Sequence, residues 1–525
     1  MTKILTGSTH RVLARSAGII GALTGVSRVL GFIRDLVIAT AFGTGIGAEA
    51  FVVSFKIPNL LRDLVGEGAA NSAFVPVLTE CHEKKRAEFW ELVSTLFILM
   101  TALLAVLSVL GIIFSPAIVG LIAPGFIHAQ DPEKFPLAVR LTRVIFPYIF
   151  LIGLSALAMG VLNSLREFTS SSIGPILLNL SMIVTGYFFE RVYGPMALVI
   201  GVLAGGVLQL GCQIPPLLKN GFRMQRPRFR NEAVKKIGRL LIPRALGSAL
   251  YQINVFVDSI LASFEGIVGP GGQSALYYSN RLFQLPLAIF GVALAQAILP
   301  TFSTQIVRGD MKSFKETFSL ALRSLMLVVL PASVGLVVLS GPIVRIIFQH
   351  GRFNAYSTAI TSNALFFYAF GLLSCCFIKI FVNAFYAMQD TKTPVKTMTF
   401  SVILNIILSL LFMSRLKIGG LALASSLSAT VNAGILYYSL RRKVGPLGGF
   451  RLVSSFLKIF FAALLMGAGA FFYNRCVLDV HTSSPVRWQA LALGLGIVMS
   501  VSLYLAAVWL FRIEEMRKLL KWRNA

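Results

Sequence analysis

The chain reads as an all-α polytopic membrane protein of about fourteen transmembrane helices, arranged as two parallel six-helix lobes around a central cavity with two helices added at the C-terminal end. Three observations predict this. Of 525 residues, 56% are hydrophobic and only 13% are charged, against about 25% charged in soluble domains. Apolar runs long enough to cross about 30 Å of hydrocarbon recur along nearly the whole length. The two halves also resemble each other at an almost constant offset.

Hydropathy and punctuation place helices near 14–41, 48–79, 89–114, 137–165, 173–190, 195–218, 234–264, 273–305, 315–347, 356–388, 395–413, 419–441, 453–473 and 487–511. The first apolar stretch is long and lacks a small-residue cleavage site, so it is expected to stay as the first span. An even number of spans puts both termini on one side. The N-terminus and the even-numbered loops carry the bases: Lys84 and Arg86, Arg166, a run over 219–239, Arg308 and Lys312, Lys392 and Lys396, a run over 441–458, and the tail. The loops at 43–47 and 266–272 carry none. By the positive-inside rule both termini are cytoplasmic. The net charge of +27 therefore reflects topology, and no nucleic-acid partner is expected.

The stretch Gly221-Phe-Arg-Met-Gln-Arg-Pro-Arg-Phe-Arg230 reads as a solvated linker between halves, with a surface for anionic headgroups as the alternative. The expected division is an N-terminal lobe at 1–218, a basic linker at 219–233, a C-terminal lobe at 234–442, and two extra helices with a basic tail at 443–525. Across the linker, Asp35-Leu-Val-Ile-Ala39 lines up with Asp258-Ser-Ile-Leu-Ala262. Ala50-Phe-Val-Val-Ser-Phe-Lys56 matches Ala275-Leu-Tyr-Tyr-Ser-Asn-Arg281, and Ala73-Phe-Val-Pro76 matches Ala297-Ile-Leu-Pro300. Six spans per half give both halves the same orientation, and a cavity is expected between such repeats.

Two stretches place charge inside membrane: Ser27-Arg28-Val29-Leu30-Gly31-Phe32-Ile33-Arg34-Asp35 and Phe55-Lys56-Ile57-Pro58-Asn59-Leu60-Leu61-Arg62-Asp63. Each has a base, a second base six residues on, and then an acid. A charge at mid-bilayer costs about 3 kcal/mol on insertion scales, so the pattern calls for a function. On a helix, Arg28 and Asp35 share a face about 10 Å apart along the axis, with Arg34 roughly 120° round from Arg28. Gly31 permits close packing or a local break, and Pro58 should kink its helix. The repeat adds Arg281 at the position of Lys56. Arg28, Arg34, Lys56, Arg62 and Arg281 outnumber the acids Glu49, Asp35, Asp63 and Asp258. An excess of guanidinium in a cavity suits a phosphate or pyrophosphate. Asp35, Asp63 and Asp258 read as ion-pairing residues, with Gly31 and Pro58 as structural ones.

Arg143, Arg244, Arg323, Arg345 and Lys379 share no motif, and most of them read as interfacial anchors. Asp390-Thr-Lys-Thr-Pro394 reads as a turn and helix start. A cation site drawing on Asp258, Asn383 or Asp390 is conceivable, without diagnostic ligand spacing. The five cysteines show no C-x-x-C or metal spacing. No catalytic residue, metal or cofactor is expected, and the absence of a Walker A pattern argues against ATP hydrolysis.

These residues resemble those of the MurJ/MviN lipid II flippases. The resemblance rests on residues 27–35 and 50–62, Glu67-Gly68-Ala69, Ala73-Phe-Val-Pro76, Asn280-Arg281-Leu282 through Gly291-Val-Ala-Leu294, and Asp390-Thr-Lys-Thr-Pro394. It covers essentially the whole chain. It implies the fold of the multidrug/oligosaccharidyl-lipid/polysaccharide exporters, and cavity bases matching Arg28, Arg34, Arg62 and Arg281 acting on the substrate's pyrophosphate; Lys56 and Glu49 are added to the substrate site from the charge pattern itself. It also implies a groove for the polyprenyl tail formed by the two extra helices, and alternating access in a bacterial plasma membrane. Lipid II would be the cargo, and other cell-wall synthesis proteins are admitted as partners. Two departures stand out: Glu49 occupies a position where the family often has Asp, and Asp63 one that is commonly basic.

The rival readings are a flippase for another polyprenyl-pyrophosphate oligosaccharide, a multidrug or organic-cation antiporter on the same fold, a membrane enzyme acting on polyprenyl phosphates, and a scaffold. Cation transport would need unpaired carboxylates where bases prevail. An enzyme would need clustered acids that the loops lack.

Overall fold

The computed structural model describes residues 2–61, 73–84, 86–229, 231–479, 484–513 and 515, with side chains described except at 2–17, 19–20, 61, 87, 171 and 241–251. Among these residues the chain is nearly all helical and contains no strand. It divides into two compact units, 1–263 and 264–525.

The first unit comprises α1 (Thr2–Phe42), α2 (Ile46–Leu61), α3 (Val75–Lys84), α4 (Arg86–Ile113), α5 (Ser115–Ile122), a 3₁₀ turn (Pro124–His128), α6 (Lys134–Ile145), α7 (Tyr148–Ser164), α8 (Thr169–Phe188), α9 (Glu190–Tyr193), α10 (Met196–Lys219) and α11 (Glu232–Ala262). The second comprises α12 (Glu265–Val268), α13 (Gly272–Pro286), a π-helical segment (Leu287–Val292), α14 (Ala293–Val307), α15 (Met311–Phe348), α16 (Ala355–Ala387), α17 (Lys392–Val444), α18 (Gly449–Tyr473), a second π segment (Asn474–Leu478) and α19 (Val486–Leu510). Each of the expected segments overlaps helix where the residues are described, although 137–165 is interrupted by a turn at Phe146 and Pro147, between α6 and α7. Nine helical stretches among them are long and apolar enough to cross a membrane. α17 holds two of the expected spans, because its helix breaks at Lys417 (φ 52°, ψ −130°).

The helix starts follow side-chain chemistry. Asn231, Asp310 and Asn354 each accept a backbone N–H from the first turn of α11, α15 and α16, satisfying one of the donors that a helix start leaves open. Between apolar helices in lipid there is little hydrophobic drive to associate, so close approach and hydrogen bonds hold them together. At Gly205 of α10, a Cβ would come within 2.8 Å of Leu178 Cα on α8. The Ser181 hydroxyl donates to the Gly201 carbonyl at 2.8 Å, sealing the same pair of helices. In the first unit the most apolar window across α6 and α7 is 72% buried, against 22% for that of α4. Hence α6 and α7 form the interior, while α4 buries one face, carrying Phe89, Leu92, Val93 and Leu96, and exposes much of the rest.

The linker is not merely solvated. Gln225 N–H donates to Ser94 Oγ (3.0 Å) and Arg228 N–H to Thr95 Oγ1 (2.9 Å), both on α4. Phe222 packs between Trp90 and Phe97, with ring centroids 5.6 and 5.5 Å away. Arg223 and Arg226 remain exposed beside this docked backbone. α11, which follows the linker, packs on α3, α4 and α5, and the Gly125 N–H donates to Ser263 Oγ at 2.9 Å. By contacts α11 therefore belongs with the first unit.

Candidate functional site

α1 sorts its charges by depth of packing. Arg34 is 6% and Asp35 1% exposed. The Arg34 guanidinium folds back onto its neighbour, donating to Asp35 Oδ1 from Nε (3.0 Å) and Nη2 (2.7 Å). Its Nη1 donates to Asn179 Oδ1 at 3.0 Å. Asn179 of α8 completes the bridge by donating from Nδ2 to the Ser27 carbonyl (3.0 Å). Gly31 lies opposite Asn179, where a Cβ would come within 3.6 Å of Nδ2. That is ordinary van der Waals contact, and α1 runs through Gly31 without interruption, so no break occurs there. Adjacent residues on a helix point about 100° apart, but the long Arg34 side chain spans that angle, so the neighbours do pair.

Arg28 behaves differently. It is exposed and makes no ion pair among the described residues. It shares the helical period of Asp35, yet it lies nearer the start of α1, where the surrounding residues are largely exposed.

On α2, Glu49 is buried (2%) and ion-paired with Lys134 at the start of α6, itself fully buried. Lys134 Nζ also sits 4.3 Å from the centre of the Phe126 ring. Seven residues on, Lys56 is half-buried and interacts electrostatically with Asp258 of α11. α2 remains helical through Pro58 to Leu61. Arg62, Asp63 and the segment 66–70 lie outside the described residues.

In the second unit, Arg281 of α13 is half-buried. Its Nη2 donates to the Tyr277 hydroxyl at 3.3 Å, and its guanidinium carbon lies 5.0 Å from the centre of that ring. Tyr277, one turn earlier, thus sets the direction of the guanidinium. Asn383 Nδ2 donates to the Ala295 carbonyl at 2.6 Å, tying α16 to α14. Asp390 caps α17, accepting from Thr393 N (3.0 Å) and Thr393 Oγ1 (2.6 Å), and pairs with Lys443. Burial alone would raise the Asp390 carboxyl; the hydrogen bonds from Lys443 and Thr393 outweigh it and hold the group well below the usual carboxylate range. Of the residues considered for a cation site, Asn383 and Asp390 are thus engaged by protein groups, and Asp258 lies in the other unit. No cluster of three or more His, Cys, Asp or Glu suited to a metal occurs among the described residues.

Four participants escape a sequence reading. Lys134 follows a polar run, His128-Ala-Gln-Asp-Pro-Glu133, and looks like a loop base. Asn179 is a lone amide in an apolar helix. Arg323, read as an interfacial anchor, is instead buried at 8% and donates from Nη1 to Glu515 Oε1 at 2.7 Å. Glu515, just past α19, also accepts from Ser455 of α18 at 2.9 Å. The one available signal was the acid: a carboxylate at a span end, such as Glu49, needs a base somewhere.

Comparison with known proteins bears on what these groups serve. The family model described as "Lipid II flippase MurJ" matches residues 38–484. A relative from Vibrio cholerae serotype O1, named "Probable lipid II flippase MurJ", is 35% identical over 96% of this chain and 97% of its own length. Among solved structures, one of lipid II flippase MurJ in an inward closed conformation superposes with a TM-score of 0.79 at 27% identity, covering 95% of this chain and 99% of that one. An inward-facing multidrug resistance MATE family transporter of the MOP superfamily gives 0.69 at 16% identity, covering 80% and 95%, a likeness of fold alone.

Proposed function

The chain belongs to the MurJ family of lipid II flippases, and from that premise we propose that it moves lipid II across a bacterial plasma membrane by alternating access, using Arg28 and Arg281 on the pyrophosphate. The family is one of multi-pass membrane transporters, and the apolar helices of this chain accord with it. The observation that carries the site assignment is the contrast on α1. Arg34 is buried and fully engaged with Asp35 and Asn179, while Arg28 is exposed without an ion pair among the described residues.

A guanidinium offers a planar fork of donors that matches phosphate oxygens two at a time. Arg28 supplies such a fork from the first unit. Arg281, oriented by Tyr277, supplies another from the second. Lys56 adds a point charge tempered by Asp258, and Arg62 is assigned with them from the sequence motif. Arg34 and Glu49 take positioning roles: the first locks α1 to α8, the second α2 to α6.

The two six-helix lobes, the fourteen crossings, the cytoplasmic placement of both termini and the groove for the polyprenyl tail belong to the same proposal. The internal repeat supports the lobes, hydropathy the crossings and the distribution of bases the placement of the termini; the groove rests on the family resemblance. The test is lipid II translocation in vesicles reconstituted with the purified protein. Arg28→Ala and Arg281→Ala should each lower the rate about tenfold or more, the loss of one charge-assisted contact worth about 1.4 kcal/mol. Wild-type rates at normal protein levels would sink the assignment.

A further inference from the structure

The second unit holds a cavity of about 800 Å³ between α15, α16, α17 and α18, a size within the range of about 300–1,000 Å³ common for ligand pockets. Its two ends differ in chemistry. One wall is aromatic: Phe381 is in ring contact with Phe318 (5.6 Å), Phe377 (5.9 Å) and Tyr437 (6.2 Å), and Phe456 comes from α18. Two hydroxyls on that surface, Ser374 and Thr430, bond to each other at 3.0 Å. At the other end stands Arg441, in the last turn of α17. Its guanidinium is exposed and makes no ion pair among the described residues, whereas Lys443, two residues on, is held by Asp390.

The start of α18 lies at this same end. Gly449 and Phe450 line the cavity, and the helix begins without a side-chain cap. A 25-residue helix presents partial positive charge there through its first N–H groups. The Tyr437 hydroxyl lies 3.8 Å from where a Gly449 Cβ would stand, so a third donor adjoins the base and the helix start. Phe450, at the rim, is 88% exposed, an apolar side chain with no protein cover beside the cationic end. A pocket with an aromatic floor, one arginine and one helix N-terminus complements an amphiphile bearing a single phosphate. A pyrophosphate would call for more bases than this end supplies.

We infer that this cavity binds an anionic phospholipid, with an acyl chain against Phe377, Phe381 and Phe456 and the phosphate at Arg441 and the start of α18. The inference uses none of the residues assigned to the pyrophosphate, but it shares α18 with the helices proposed for the polyprenyl groove, and the identity of the retained lipid separates the two.

The test reconstitutes the full chain in vesicles of equal phosphatidylglycerol and phosphatidylcholine, extracts it in mild detergent, and counts retained lipids by native mass spectrometry. The wild type should retain phosphatidylglycerol in preference to phosphatidylcholine. Arg441→Gln should lower that retention about tenfold, while Arg442→Gln, at its exposed neighbour, should leave it unchanged. Gly434 lines the cavity, and nothing lies within 4 Å of where its Cβ would be. Gly434→Leu should therefore project into the cavity from an open Cβ position and displace the lipid. Equal retention of both lipids by the wild type, unchanged retention in Arg441→Gln and Gly434→Leu, or a polyprenyl lipid in place of the phospholipid would each overturn it.

Discussion

Lys134 and Glu49 form an ion pair sealed inside the first unit, the lysine fully buried and the glutamate 2% exposed, across 85 residues of sequence. Such a pair adds little net stability over an apolar substitute, because both charges lose their hydration. Breaking it is another matter, since the survivor is left buried and uncompensated. Lys134→Met should lower unfolding stability by about 3–5 kcal/mol, read as a fall in the thermal midpoint of purified protein. Lys134→Met combined with Glu49→Gln should recover much of that loss, and a double-mutant cycle without coupling would contradict the pairing.

The two arginines of α1 should separate stability from transport. Arg34→Ala removes three hydrogen bonds at a buried site and should cost about 3 kcal/mol of stability. Asn179→Leu should cost about 1 kcal/mol, in keeping with interhelical hydrogen bonds in membranes. Arg28→Ala should leave the thermal midpoint where it is and lower only lipid II translocation. A destabilised Arg28→Ala protein would argue that Arg28 is another packing residue.

These two arginines also show where a sequence stops being legible. Helix positions could be read because spanning the bilayer requires about 20 apolar residues in succession, and the expected segments overlap helix where the residues are described, though the break between α6 and α7 inside 137–165 went unread. The same hydropathy gave the charged stretches their prominence. It could not tell Arg28 from Arg34, because that difference is made by Asn179, 145 residues from Arg34. Glu515 and Arg323, 192 residues apart, were invisible as partners for the same reason: a side chain's partner is chosen by packing, and no local period encodes it. The linker misled in the other direction. Its bases face water as expected, while its backbone is fastened to Ser94 and Thr95.

Asp390 gives a prediction with a definite pH window. Its carboxyl is held below the ordinary value near 3.9 despite its burial, by hydrogen bonds from Lys443 and Thr393. A depressed folded pKa means stability that is present above the unfolded value and lost as pH falls through the folded one. Between pH 5 and 8 the Asp390 contribution should therefore be constant, and it should decline only below about pH 4. Asp390→Asn keeps an acceptor for Thr393 and loses the charge, whereas Asp390→Ala loses both. The alanine variant should be the less stable by about 1 kcal/mol, the worth of a helix cap, and equal midpoints would refute the capping role.

The break in α17 offers the sharpest steric test. Lys417 takes φ 52° and ψ −130°, a conformation that costs a residue with a Cβ about 1–3 kcal/mol. Three residues on, Gly420 lies so close to the preceding segment that a Cβ would stand 2.5 Å from the Phe412 carbonyl oxygen. That neighbour is backbone and cannot swing away. Gly420→Ala should therefore force the two segments of α17 apart and sharply reduce the yield of folded protein in the membrane. Lys417→Gly should do the reverse, raising the thermal midpoint as the strain is removed. Gly434→Ala, later in the same helix and with open space around its Cβ position, supplies the control: it should be neutral or stabilising by up to about 1 kcal/mol from helix propensity. If Gly420→Ala accumulates and unfolds like Gly434→Ala, the close approach at the break is wrong, and with it the explanation of how the two segments of α17 are held together.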